Sequence, residues 1–178
     1  MAHKAGFVNI LGNPNVGKST LMNRMVGEKL SIITSKSQTT RHRIMGIVNG
    51  EDFQIIYSDT PGIIKPDYGL QERMMHFVRS AMDDADLIVY VTDVVETAFK
   101  NPHYIERLQK SEVPVLVLIN KIDLSDPEAI MKLQNEWEEK LPGARVMSIS
   151  ARKGIGTEAV FDHIMQHLPE HEAYFPKD

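Results

Sequence analysis

Four short apolar runs constrain the fold more than anything else in the chain: "GFVNILG", "FQIIY", "DLIVYV" and "VPVLVLIN". Each has the length of a strand, and Val, Ile and Leu dominate without polar alternation. Such strands are buried on both faces of a sheet, so helices must cover both sides. None approaches the roughly 20 apolar residues that a membrane-spanning helix needs. Helical spacing fills the gaps between strands: Gly17 to Val26, residues 70–83, residues 103–110, a segment from a capping Asp126 to about Lys140, and residues 157–168. Alternation of this kind predicts an α/β doubly wound domain. "IMGIVNGEDFQIIYSD" departs from the alternation and reads as a hairpin turning at Asn49-Gly50. With "RVMSIS" as the last strand, the expected architecture is a six-stranded, mostly parallel sheet. One strand is antiparallel, and helices flank both faces.

The 178 residues suit one domain with a sizeable core. Residues 1–170 are read as that domain, and residues 171–178 as the start of a linker, because "PEHEAYFPKD" has two prolines, two aromatics and no helical pattern. A net charge of −4 lacks the basic footprint of a protein that grips duplex DNA. The absence of cysteine excludes a disulfide scaffold and any thiolate metal site. "MAHKAGFVNILGNPN" has too short an apolar stretch for a signal peptide. A soluble, cytoplasmic protein is expected.

"GNPNVGKST", residues 12–20, fits G-x-x-x-x-G-K-S/T between an expected strand and an expected helix. Glycines in such a loop let backbone N–H groups curl around phosphates at a helix N-terminus. Lys18 then places its charge between the β- and γ-phosphates, and Ser19 offers a hydroxyl to Mg²⁺. The nucleotide-binding set here is Asn13, Asn15, Val16, Gly17, Lys18, Ser19 and Thr20. "DTPG" follows a neighbouring strand: Asp59 would hold the metal through its water shell, and Gly62 would offer its N–H to the γ-phosphate. "NKID" closes another strand. Guanine presents its ring N–H and exocyclic amine side by side, and the Asp123 carboxylate can accept both. Adenine lacks that donor pair. Asn120 belongs to the same motif, and Lys121 can lay its alkyl stem on the purine face. In "SISARKG", a backbone N–H near Ala151, between Ser150 and Arg152, can meet the guanine 6-oxo group.

"GNPNVGKS", "TT", "DTPG", "NKID" and "SAR", in this order, resemble the five G-motifs of the translation-factor class of P-loop GTPases over nearly the whole chain. "QTTRHRI", "DTPGIIKP" and "YFPKD" are similar to the Era type of bacterial ribosome-assembly GTPase. The resemblance implies GTP/GDP and Mg²⁺ as cofactors. It maps the Mg²⁺-binding switch threonine onto Thr40, with Ser19 and Asp59 as the other metal residues. It also implies a C-terminal KH domain that binds 16S rRNA of the small ribosomal subunit, before which this chain stops, and a monomer with peripheral association at the inner membrane. A tandem-G-domain protein of the Der type, a binding module with incidental hydrolysis, and a P-loop ATPase or kinase are the alternatives.

Ile63 stands where many regulatory GTPases carry a water-orienting glutamine, and a hydrocarbon side chain cannot orient water. Ile63 and Ile64 equally suit packing of the segment onto the body. Lys18, Thr40, Gly62 and Asn15 are the residues expected to carry catalysis. Asn15 matches an asparagine that in related GTPases ligates K⁺, and Arg41 or Arg43 acting in cis is a second candidate for charge compensation. His163 and His167, four apart on one expected helix, have no obvious third ligand and read as a solvated face.

Overall fold

A computed structural model describes residues 2–12, 16–26, 30–31, 43–59, 85–95 and 102–174. The strands are β1 (Lys4–Leu11), β2 (Leu30–Ser31), β3 (Arg43–Asn49), β4 (Phe53–Asp59), β5 (Leu87–Asp93), β6 (Val115–Asn120) and β7 (Arg145–Ser148). The described helices are α1 (Lys18–Val26), α2 (Pro102–Gln109), α3 (Pro127–Lys140) and α4 (Thr157–His167). The helix expected over residues 70–83 lies outside the described residues.

The strands form one sheet in the order β2-β3-β4-β1-β5-β6-β7. Pairings of β1 with β4 and β5, of β5 with β6 and of β6 with β7 are parallel. β3 runs against both of its neighbours. The six expected strands are therefore present with one antiparallel member. A two-residue β2 is added at the edge beside β3, too short to carry a sequence signal of its own. The β3–β4 hairpin forms, and its turn lies one residue later than the Asn-Gly signal suggests. Asn49 is the last residue of β3, pairs with Gln54 and accepts a 2.8 Å hydrogen bond from the Gln54 amide. Gly50 N–H closes the loop on the Phe53 carbonyl at 2.9 Å.

Strand alternation divides the core in two. Leu87, Val89, Val91, Leu116 and Leu118 face one side and pack with Leu21 and Met22 of α1 and Val160 and Ile164 of α4. Ile88, Tyr90, Val117 and Ile119 face the other and pack with Ile105 and Leu108 of α2 and Trp137 of α3. The continuous apolar runs thus serve two helical layers at once. α3 begins as its sequence directs: Asp126 accepts from Ala129 N–H at 2.9 Å, and Pro127 opens the first turn. Trp137, in the acidic "NEWEEK", points inward against Tyr90 with ring centroids 5.4 Å apart.

After α4 the chain returns to the amino end of β1. Ala5 N–H donates to Pro169 O at 3.2 Å, and His171 N–H donates to His3 O at 2.9 Å. Tyr174 packs on Phe7 at 4.9 Å, and its N–H donates to the Gln54 side chain at 2.8 Å. These contacts lie at the sheet end opposite the phosphate loop. On α4 the rings of His163 and His167 lie 4.4 Å apart. Burial, then the charges of His167 and Arg145, hold the His163 imidazole below its usual pKa, which disfavours a cation there. Among the described residues no group of three or more His, Asp or Glu is placed to share a metal ion. No described helix is long and apolar enough to cross a membrane.

Trp137 is 2% exposed, whereas Met131 on the same helix is 66% exposed. Trp137→Ala should cost about 3–5 kcal/mol in urea unfolding followed by circular dichroism, whereas Met131→Ala should stay within about 0.5 kcal/mol. Similar losses for both would show that α3 does not pack as described.

Candidate functional site: a cleft at the carboxyl ends of the strands

β1 is the strand from which the topology reverses. The chain leaves β1, returns as β4 on one side, and continues as β5 on the other. Crevices beyond the carboxyl ends of strands at such a point are where open α/β sheets bind ligands. Val16 and Gly17 lead from β1 to α1, and Leu21 N–H donates to Gly17 O at 2.9 Å as the helix starts. The first N–H groups of α1 have no partner within the helix, and its first turn carries no acidic residue. That end attracts an anion. Gly17 has φ +98°, and a Cβ there would collide with the Asn120 side-chain amide. Glycine is required twice over, for backbone conformation and for space.

Asp59 is the last residue of β4 and is in register with Ile10 of β1. It therefore emerges beside the strand that feeds the phosphate loop. The backbone of Ser19 lies in the first turn of α1, and Thr20 lines the cleft. Asn13, Asn15, Thr40 and Gly62 lie outside the described residues, as do Ile63, Ile64 and Arg41.

The other end of the cleft is built on β6 and the loop after β7. Asn120 ends β6 and is buried. Its amide NH₂ donates to Val16 O at 2.9 Å, and its oxygen accepts from Ala151 N–H at 2.9 Å. One side chain thus joins the phosphate loop to the loop that carries Ser150, Ala151 and Arg152. Asp123 sits in a single 3-10 turn, Ile122–Leu124. Ser150 Oγ donates to one Asp123 carboxylate oxygen at 2.8 Å, which fixes the rotation of that group. Lone pairs remain on both oxygens to accept two adjacent N–H donors. Lys121 adopts φ 65°, and its ammonium pairs with Asp93 at 2.9 Å. Asp93, only 4% exposed at its side chain, also accepts from Val95 N–H at 2.9 Å.

Gly17, Thr20, Asn120, Lys121, Asp123, Leu124, Ser150 and Arg152 enclose a cleft of about 400 Å³. It offers a helix N-terminus at one end and an oriented carboxylate at the other. That donor and acceptor set fits a phosphate tail and a purine bearing adjacent N–H groups. The structure brings together Val16, Gly17, Lys18 and Thr20 with Asn120, Lys121, Asp123, Ser150, Ala151 and Arg152, and the Ala151 N–H itself is held by Asn120. Two supports were not anticipated. Asp93 anchors Lys121, and Arg24, in the last turn of α1, grips the loop at Ala151 and Arg152. The acid closing the run "LIVYVTD" was the available signal for Asp93; a basic residue in a helix's last turn is too common to have marked Arg24.

A doubly wound sheet with a phosphate loop after its first strand and an Asn-Lys-x-Asp turn after a later one is the arrangement of a P-loop GTPase domain. A model of the 50S ribosome-binding GTPase family matches residues 7–121, and the chain belongs to that family. Within it, the chain is 40% identical over 177 residues to GTPase Era of Staphylococcus haemolyticus, covering 99% of this chain and 59% of that relative. A crystal structure of an Aquifex aeolicus Era variant bound to GDP·AlF4− is 38% identical, with TM-score 0.78, covering 98% of this chain and 60% of that one. A structure of Era with MgGDPNP and nucleotides 1506–1542 of 16S ribosomal RNA is likewise 38% identical with TM-score 0.78, covering 99% of this chain and 61% of that one. The chain therefore spans about three fifths of the length of the Era relatives it matches.

Asn120→Ala should strand the Val16 carbonyl and the Ala151 amide in a buried place and cost about 2–4 kcal/mol in urea unfolding. A loss below about 0.5 kcal/mol would mean that the two loops are not tied through this side chain.

Proposed function

We propose that this chain is the G domain of an Era-type GTPase, binding GTP and GDP with Mg²⁺ and hydrolysing GTP by in-line attack of water. The observation that carries the reading is the bridge through Asn120, which puts the phosphate loop and the Asp123 carboxylate in one cleft. Lys18 and the amides of the phosphate loop would hold the phosphates, with Gly62 donating to the γ-phosphate. Ser19, Thr40 and Asp59 would hold Mg²⁺, directly or through water. Mg²⁺ supplies charge neutralisation between the phosphates. Asn120, Lys121, Asp123 and the loop at Ala151 would select guanine. Catalysis of this type rests on positioning and electrostatics, so no side-chain base is needed.

The proposal extends to the setting of the protein. Residues 1–170 form the G domain, and residues 171–178 begin the connection to a KH domain. The partners are the small ribosomal subunit and 16S rRNA, supported by the RNA bound to the related Era. The protein acts as a monomeric switch in the cytoplasm, with peripheral contact at the inner membrane, as the resemblance implies. Asn15 would hold K⁺, which would supply positive charge beside the phosphates, where the hydrocarbon side chain of Ile63 offers none.

Calorimetry with GDP, GTP and ATP in Mg²⁺ tests the cleft. Guanine nucleotides should bind and ATP should not. Asp123→Asn presents one acceptor and one donor, which match xanthine. Its GDP affinity should fall about 100-fold while xanthosine diphosphate gains. Binding of ATP as tightly as GTP would end the guanine reading. Hydrolysis should be slow, on the order of 10⁻⁴ to 10⁻² s⁻¹ in single turnover, and faster in KCl than in NaCl. Equal rates in the two salts would remove Asn15 from its role, and stimulation by small ribosomal subunits would support the switch.

A further inference from the structure

The loop after β7 has a brace that none of the G-motifs contains. Arg24 lies in the last turn of α1, the helix that begins at the phosphate loop. Its Nε donates to the Ala151 carbonyl at 3.1 Å, and its Nη2 donates to the Arg152 carbonyl at 2.8 Å. The guanidinium fork thus spans two consecutive carbonyls of the loop expected to read the purine. Gly154 takes φ +72°, a backbone conformation that side-chain-bearing residues rarely adopt, and a Cβ there would meet the Arg24 guanidinium carbon in ordinary van der Waals contact at 3.4 Å. On its other side the same loop is held by Asn120 and Asp123. Ala151 N–H donates to Asn120 at 2.9 Å, and Ser150 Oγ donates to Asp123 at 2.8 Å.

The two sets of bonds sort the loop's polar groups by sign. A trans peptide points its C=O and N–H in opposite directions. Holding the carbonyls of Ala151 and Arg152 towards α1 therefore turns the following N–H groups, of Arg152 and Lys153, away from α1. Lys153 N–H accordingly finds Ser150 Oγ at 3.2 Å. Without Arg24 the Ala151 carbonyl keeps a long 3.4 Å bond from Gly154 N–H; a carbonyl that rotates towards the cleft would repel a purine 6-oxo group of like partial charge. Arginine suits this task because its planar fork carries fixed donors, which an ammonium does not.

We infer that Arg24 is a positioning residue for guanine: it clamps the Ala151 and Arg152 carbonyls away from the cleft so that the loop presents the Arg152 N–H to the 6-oxo position. The inference rests on the guanine-site reading above. It also makes α1 a mechanical link, since one helix contacts the phosphates at its first turn and sets the base loop from its last.

The test uses the whole 178-residue chain and two ligands, GDP and 2-aminopurine riboside diphosphate, which keeps the exocyclic amine and lacks the 6-oxo group and the ring N–H beside it, the second loss being common to wild type and variant. Arg24→Ala should weaken GDP about tenfold and leave the 2-aminopurine analogue within about twofold. Arg24→Lys, with one flexible donor centre, should recover part of the loss. Equal weakening of both ligands would reduce Arg24 to general support, and no weakening of GDP would remove it altogether; either overturns the inference. If Arg24→Ala fails to fold, Arg24→Gln, which retains one amide donor, carries the same comparison. Failure of the wild-type chain to bind GDP would instead overturn the guanine site itself. A wild-type chain that binds GDP while the variant's ligand ratio stays unchanged overturns the role of Arg24 alone.

Discussion

The site depends on one buried amide. Asn120 donates to Val16 on the phosphate loop and accepts from Ala151 on the loop after β7, and it stands against a glycine that leaves room for nothing larger. A buried amide that satisfies two backbone groups is costly to replace, because its loss strands both partners away from water. Its position is fixed in turn by β6, a strand buried along its whole length between β5 and β7. The sheet therefore acts as the ruler of the cleft. It sets how far the helix N-terminus stands from the Asp123 carboxylate, and so which ligand spans both.

Around that amide the polar groups act in relays. Ser150 sets the rotation of Asp123, and Asp93 takes the Lys121 ammonium. Arg24 takes the Ala151 and Arg152 carbonyls. Each relay positions a group by occupying the alternative partner that would draw it elsewhere. Apart from Arg24, in the last turn of α1, the donors and acceptors concerned lie at the end of a strand or in the first turn beyond one. Preorganisation of this kind matters most for a ligand whose recognition rests on a few directional bonds.

Much of the fold was legible because burial leaves a direct imprint on sequence. "LIVYV" and "VLVLI" are apolar throughout because both faces are covered, and the helices over them carry the 3.6-residue pattern. Asp126 and Pro127 announced the start of α3 through capping chemistry that is purely local. The hairpin was legible in kind but not in register. Asn49 satisfies its side chain across the strand pair on Gln54, which holds it in β3 rather than in the turn. β2 was not legible, because two residues on an edge owe their conformation to β3.

The sequence by itself determined the class of protein, because the motifs of a P-loop GTPase are particular residue types at short spacing: Gly17, Lys18 and Ser19 in one loop, and Asn120, Lys121 and Asp123 in another. Local chemistry of that kind is written in consecutive residues. Only the tertiary structure decided what holds those loops to each other. The contacts of Asn120 with Val16, Arg24 with Ala151, and Asp93 with Lys121 join residues far apart in the chain, and no local pattern encodes them. They exist because parallel pairing of the central strands brings all of their carboxyl ends to one edge, where side chains with no sequence relation become neighbours.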